Sequence, residues 1–483
     1  MLKSNNDMTK HICLISLLLS ATAMTIANAA VPHACNLNFN PENGWKIHRL
    51  KESNKVTDHI WQQPADEELT RSLAQWKPGS LTEQAIFAAV EDVGVATGRN
   101  VSDPEDLYEH WQGMIIYNNS LYFTHVTWSQ LGPGYKKKLF RNFMNSIVQS
   151  YKKDGCRLPD VFMMMNIESV FPSAQKEVET SNKSSSSTTA RAPVMCIARN
   201  VMDAKKCTLV PNPYFKTLNA WQKMTAKIRR NCPMNLPTWR QRQDRALWRG
   251  KCGFSSCESS GPRMKLGMLS ACGDNSQYLD VAFKEETGCH RMEIWVREKN
   301  CPWLTDNTSQ LINKVLKGAV IDQASFCQAK YLVNMPGQYQ GSYSRHLQYI
   351  MPTGSAILIW ETLSEFDEFY YHHLRPGKDF LWVHGDKDNS SKSYQNATGS
   401  KHIVEVVKQL RQNERRAWRL GKAARRFFQH NLSADALKKF WLETIHMYAK
   451  LQGFAPHVPA EACAMTRDAV SDRIKQMVAL REA

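Results

Sequence analysis

The 483-residue chain predicts an α/β fold, and three features carry that expectation. Short apolar runs of strand length alternate with amphipathic helical stretches in both halves. One stretch, Lys330 to Trp360, reads as a complete strand–turn–helix–strand unit. An apolar share of 42% with 14 tryptophans is ample for a large core, and the length suits two domains better than one.

In chain order, Cys35 to Gly79 is turn-rich and irregular, a stapled N-terminal cap. Leu81 to Val93 predicts a short helix, and Asn119 to Trp128 alternates as a strand does. From Tyr135 to Lys153, Leu139, Phe140, Phe143, Ile147 and Tyr151 recur at helical spacing, and Gly155 ends the helix. Leu158-Pro159-Asp160 leads into a buried strand, Val161 to Ile167, with Asp160 read as a turn residue. Ser181 to Thr189 is a polar, low-complexity loop, and Val194 to Ala198 is a further strand. A helix over Asn219 to Arg230 crosses to the second half. There, Asp280 to Phe283 and Met292 to Val296 are short strands, and Glu361 to Leu374 predicts a helix. Lys401 to Phe428 reads as one long helix, with Ile403, Val407, Leu410, Ala417, Ala424 and Phe428 on one side. Ala434 to Leu451 is a terminal helix, and Cys463 to Ala483 a helical or loose tail.

The unit at 330–360 organises the rest. Tyr331 to Met335 is a buried strand; Pro336, Gly337 and Gly341 break it, and Ser342 is a candidate N-cap. About two turns of helix follow, with Tyr343, Leu347 and Ile350 on one face and Arg345 and His346 at the mouth. Pro352 and Gly354 stop the helix before the strand Ser355 to Trp360. Such a unit sets its loop and helix N-terminus at the carboxyl edge of a parallel sheet, where phosphates bind. Arg345 adds a fork of donors there. An ordinary crossover with a surface arginine has the same pattern.

The order of these parts is similar to glycosyltransferase family 90, which holds animal protein O-glucosyltransferases and fungal capsule xylosyltransferases. The resemblance runs through the KY strand, the glycine turn, the serine-rich approach to Arg345, and the Gly354-Ser355 strand. It continues through Glu368-Phe369-Tyr370 and Leu374-Arg375-Pro376. Upstream, Trp248-Arg249-Gly250 resembles the family's F/W-R-G, with Arg263 where an arginine usually follows, and Phe440-Trp441 to Leu451 resembles its closing aromatic helix. It covers Cys156 to Leu451 and implies a GT-B-like fold, two Rossmann-like domains with the reaction cleft between them. The expected divisions are a signal peptide at 1–30, an acceptor-side domain at 31–220, and a nucleotide-sugar-binding domain at 221–430. Residues 431–483 would be a terminal helix packing back on the first domain, and a tail.

The resemblance implies an inverting glycosyltransferase. It would move glucose or xylose from a UDP-sugar to a hydroxyl of a protein or glycan, without a metal or other cofactor. A catalytically silent relative that binds carbohydrate or protein is the alternative, and an unrelated basic binding protein a third. Transfer needs positive charge at the leaving pyrophosphate and a base for the attacking hydroxyl. Arg345 and Arg263 are the expected donor-binding cations, with Ser342, Ser255 and Gly341 beside them. Similar enzymes carry an aspartate in a pattern like N-x-x-D-x-P, but here the segment runs Asn166-Ile167-Glu168-Ser169-Val170-Phe171-Pro172. Ser169 takes the aspartate's place, and Glu168, one residue earlier, is the expected base. Strand alternation would turn Glu168 with Asn166 toward the cleft and Ile167 into the core.

Composition sets the compartment. Lys3 and Lys10 lead into the apolar run Ile12 to Ile26, with Ala27-Asn28-Ala29 as a cleavage site; an uncleaved anchor is the competing reading. Of 13 cysteines, loss of Cys13 with the leader leaves twelve, so disulfides are the default, Cys327 included. Sequons begin at Asn100, Asn118, Asn182, Asn307, Asn389, Asn396 and Asn431. These point to the lumen of the endoplasmic reticulum or Golgi, or to secretion. The formal charge of +17 is scattered, with its densest run, Arg411 to Arg426, on a helix face, so no nucleic-acid partner is expected. Asp386-Lys387-Asp388 lies in a polar loop and reads as a loop, and the pair His372-His373 reads as structural. The sequence holds no HExxH, GxSxG or Walker-type loop.

Overall fold

The computed structural model describes residues 76–96, 110–124, 133–168, 192–201, 207–251, 257–283, 321–337, 344–385 and 398–456, with short pieces at 39–40, 44–45, 69, 72–73, 458 and 463–464. The leader at 1–30, the loop at 181–189, the strand at 292–296 and Asp386-Lys387-Asp388 lie outside them. So do Ser255, Gly341 and Ser342, and all sequons except Asn118 and Asn431.

Two six-stranded sheets form the frame. The first holds β1 (Trp111–Tyr117), β2 (Ser120–Thr124), β3 (Val161–Asn166), β4 (Met195–Cys196) and β5 (Thr208–Leu209). Its remaining strand is supplied from the chain's far end, Cys463–Ala464, which pairs with β2; the expected helical or loose tail starts as an edge strand instead. β1 pairs antiparallel with β2 and with β3, while β3, β4 and β5 run parallel. The sheet is therefore mixed. The cause is local: Asn118 and Asn119 both have positive φ, the primed turn that closes a two-residue hairpin. Asp160 accepts the Asn118 N–H at 2.8 Å, a turn role as expected.

The second sheet is parallel throughout. It contains β6 (Gln243–Gly250), β7 (Leu279–Phe283), β8 (Ala329–Asn334), β9 (Ala356–Trp360) and β10 (Leu381–His384), with a two-residue edge strand at Lys401–His402. The order is β7-β6-β8-β9-β10 and then the edge strand. β6 to β7 steps one way and everything from β8 steps the other, so the strand order reverses between β6 and β8. In doubly wound sheets, ligands bind in the crevice at that reversal. β8 and β9 are buried along their whole length, as strands covered on both faces must be. Tyr331 and Val333 face one core and Leu332 the other; Leu358 and Trp360 likewise oppose Ile357 and Ile359. The core holding Leu332 and Ile357 runs on into the first sheet.

The helices include α1 (Glu83–Ala96), α2 (Pro133–Lys153), α3 (Leu218–Asn231), α4 (Cys257–Ala271) and α5 (His346–Ile350). α6 (Ile403–Gln412), α7 (Glu414–Asn431) and α8 (Ala434–Leu451) follow. α8 packs against the first sheet and α2: Tyr151 Oη donates to Lys438 O at 2.5 Å, and Phe140 meets Trp441.

Two helix expectations change. The long helix over 401–428 is two, because Asn413 leaves helical geometry and its side chain caps α7 by accepting the Arg416 N–H. The helix over 361–374 is two short 3₁₀ turns, Glu361–Glu365 and Tyr371–His373, separated by an extended pair Phe366–Asp367. That extended pair bonds Arg199–Asn200, which pulls the segment out of helix. The helix after Arg345 has five residues and continues as a 3₁₀ turn, Met351–Thr353, ended by Gly354 at φ 73°.

Cys327 is in a disulfide, with Cys232, and Cys196 pairs with Cys207. Cys156 is also disulfide-bonded. Cys272 is a free, exposed cysteine. Asn118 is exposed in its hairpin, whereas Asn431 donates to Phe427 O at the end of α7. No helix among the described residues is long and apolar enough to cross a membrane.

Candidate active site

The site forms at the reversal point of the parallel sheet. Arg263, on α4, is 8% exposed and reaches the chain just beyond both central strands. Its Nε and Nη2 donate to Pro336 O, after β8, at 2.9 and 2.7 Å, and its Nη1 donates to Lys251 O, after β6, at 2.9 Å. One guanidinium thus clamps the two loops that border the crevice. Burial, then the nearby Arg345 charge, pushes Arg263 down to about 10, which leaves it cationic at neutral pH. His346 is pushed down to about 4 by burial and by Arg263, so it stays neutral there.

The Trp248-Arg249-Gly250 segment builds the neighbouring edge. Arg249 grips β7 through Asp280 O at 2.7 Å and Asp280 Oδ1 at 2.6 Å. A Cβ on Gly250 would lie 2.5 Å from the Trp248 ring, so that ring folds over the chain only because position 250 is glycine.

Arg345 lies at the start of α5, exposed, with its guanidinium carbon 4.4 Å from the centre of the Tyr214 ring. Tyr214 belongs to the chain after β5 of the first sheet, so Arg345 reaches across from one sheet to the other. Tyr349 Oη fixes the same junction by donating to Tyr214 O at 3.0 Å. The expected helix dipole is a lesser partner here, since a five-residue helix sums few peptide dipoles. The charge rests on the arginine.

Glu168 comes from the first sheet. β3 stops at Asn166, whose side chain turns back to accept the Glu168 N–H at 3.0 Å. Ile167 enters the core, as alternation requires. Glu168 Oε1 lies 2.9 Å from His110 Nε2, with the two side chains 16% and 20% exposed. The register explains the meeting: Trp111 opposes Asn166, and Ile167 N donates to His110 O at 2.8 Å.

Lys136 lies in the first turn of α2. Burial lowers its pKa, Glu168 opposes that shift, and Arg345 adds to it. A lysine in a helix's first turn is disfavoured by the dipole, and this turn holds no acid of its own. The negative charge of Glu168 opposes the lowering of the lysine's pKa. Neither His110 nor Lys136 was expected from the sequence. The Asn118-Asn119 turn between two apolar runs was the available signal, since a hairpin there starts β1 beside His110.

Glu368 of the Glu-Phe-Tyr motif is fully buried and serves the joint between the halves. Its Oε2 accepts from Asn212 Nδ2 at 3.1 Å and its Oε1 from Tyr370 Oη at 3.3 Å, while Asn212 also donates to Gln348 at 3.0 Å. Burial pushes its carboxyl up to about 8. Among the described residues no three His, Cys, Asp or Glu side chains gather as a metal site would need.

The parallel sheet defines an α/β protein of the doubly wound class. The profile of glycosyl transferase family 90 matches residues 134–479, most of the chain, and the chain belongs to that family. His110 lies upstream of the matched segment. Among solved structures, Anabaena HepE in complex with UDP and glucose aligns at 10% identity and a TM-score of 0.27. That alignment spans 46% of this chain and about half, 52%, of the other.

Proposed function

We propose that the protein is an inverting, UDP-sugar-dependent glycosyltransferase with a GT-B-like cleft between its two sheets. It transfers glucose or xylose to a hydroxyl of a protein or glycan in the lumen of the secretory pathway or outside the cell. The observation that carries this reading is the buried Arg263 guanidinium clamping the chain beyond β6 and β8, the two strands at the strand-order reversal. A nucleotide diphosphate would bind in the crevice at such a reversal.

In this reading the donor pyrophosphate lies against Arg345, with Ser342, Ser255 and Gly341 beside it and the buried Arg263 adding charge from behind. Glu168 takes the proton of the acceptor hydroxyl. The hydroxyl oxygen attacks the anomeric carbon from the side opposite the leaving group, and configuration inverts. The electron pair of the broken bond leaves on the pyrophosphate, where fixed cations stabilise it. The protein's own guanidinium and ammonium groups supply that charge in this account, without a cofactor.

The test is release of UDP from a set of UDP-sugars by the purified protein. Release with UDP-glucose or UDP-xylose supports the reading. UDP binding without release identifies a silent relative, and neither binding nor release removes the donor assignment altogether.

A further inference from the structure

We propose that His110 is a positioning residue for Glu168, holding one carboxylate oxygen so that the carboxylate is oriented toward the acceptor hydroxyl. The proposal rests on the sugar-transfer reading above. It comes from the meeting of His110 and Glu168 at the end of β3, which only the antiparallel register of β1 with β3 creates.

Three observations assign the roles within the pair. His110 Nε2 is the nitrogen that faces Glu168, at 2.9 Å. His110 Nδ1 is shut off from solvent inside the protein, so neither ring nitrogen is presented to an acceptor. Glu168 is partly exposed, and its backbone is held by Asn166. The proton-accepting group is therefore the Glu168 carboxylate, with Oε1 beside the imidazole. In the transfer step the acceptor O–H bond breaks and its proton goes to that carboxylate. The oxygen's electron pair forms the new bond to the anomeric carbon, and the bond from that carbon to the donor phosphate oxygen breaks, its pair leaving with UDP.

An N–H on Nε2 donates to Oε1 and so orients the carboxylate. Lys136, from α2, also feels Glu168, whose charge opposes the burial that lowers the lysine's pKa.

The experiment compares kcat and the KM for the UDP-sugar, by UDP release, for the wild-type protein, His110→Gln and His110→Ala. A glutamine keeps an N–H donor for Oε1. His110→Gln should retain turnover within about tenfold. His110→Ala should lower kcat about ten- to a hundredfold, with the KM for the UDP-sugar unchanged. A merely structural histidine would give no such rescue by glutamine. Equal losses in the two variants, or a wild-type kcat in His110→Ala, overturn the proposal while leaving sugar transfer intact. Failure of the wild type to release UDP from any UDP-sugar overturns the transfer reading, and this proposal with it.

Discussion

The Arg345 guanidinium stacks on the Tyr214 ring, 4.4 Å from its centre, and so ties the chain after β8 to the chain that leaves the first sheet. A contact of this kind is worth about 0.5–1 kcal/mol at an exposed site. Its larger consequence is positional, because it sets where the guanidinium points.

Replacing Arg345 with alanine should cost about 2–4 kcal/mol of transition-state stabilisation, as loss of a charge-stabilising donor does elsewhere. Lysine should restore only part, since it keeps the charge but not the planar, stacking fork. The ratio of kcat/KM for the three proteins with one UDP-sugar reads this directly. Equal values for wild type and Arg345→Ala would remove the arginine from the site.

Glu368 predicts a stability that falls as pH rises. Its folded-state carboxyl sits at about 8, above the ordinary carboxylic value of 4.5, so the folded protein holds a proton that the unfolded chain has released. Stability from this group is fully present below the ordinary value and declines as pH rises toward 8, by up to roughly 1.4 kcal/mol per pH unit. Glu368→Gln keeps the bonding groups and cannot ionise. Its melting temperature should match the wild type near pH 5 and exceed it at pH 8; parallel curves across that range would contradict the assignment.

Gly250→Ala should destabilise the protein by about 1–3 kcal/mol, an overpacking cost. The added methyl meets a buried ring, Trp248, that is itself packed against Phe283. Thermal unfolding measures it. Unchanged stability would mean that the Trp248 ring has room to move.

Peptide mapping without reduction should recover Cys232 joined to Cys327 and Cys196 joined to Cys207, with Cys272 alkylated directly. The Cys232–Cys327 bridge closes a loop of 95 residues, for which chain entropy gives on the order of 4–5 kcal/mol. Its double replacement by alanine should therefore lower the unfolding midpoint markedly. Free thiols at all four positions would contradict both the pairing and an oxidising compartment.

Elements whose signals are local were legible in the sequence. α8 follows Ser433, which caps it, and β8 and β9 are apolar runs punctuated by Pro336 and Gly354. The misread segments are those where a distant partner overrides periodicity. Phe366–Asp367 is extended because it bonds Arg199–Asn200, and Glu368 then turns inward to reach Asn212. Asn413 breaks an otherwise continuous helical pattern by capping α7, a change that apolar spacing alone does not register. Among the candidate site residues, Arg345, Arg263 and Glu168 stood out by residue type and order. His110 and Lys136 did not, because their placement depends on strand register and tertiary packing and not on a local pattern.

The central claim is that Glu168 accepts a proton during sugar transfer, and Glu168→Gln tests it most directly, because the amide keeps the shape and removes the basicity. With UDP release and UDP binding measured on the same preparations, the account predicts turnover lowered by about 10²–10⁴-fold and UDP affinity unchanged. Turnover near that of the wild type, with UDP still bound, would contradict it.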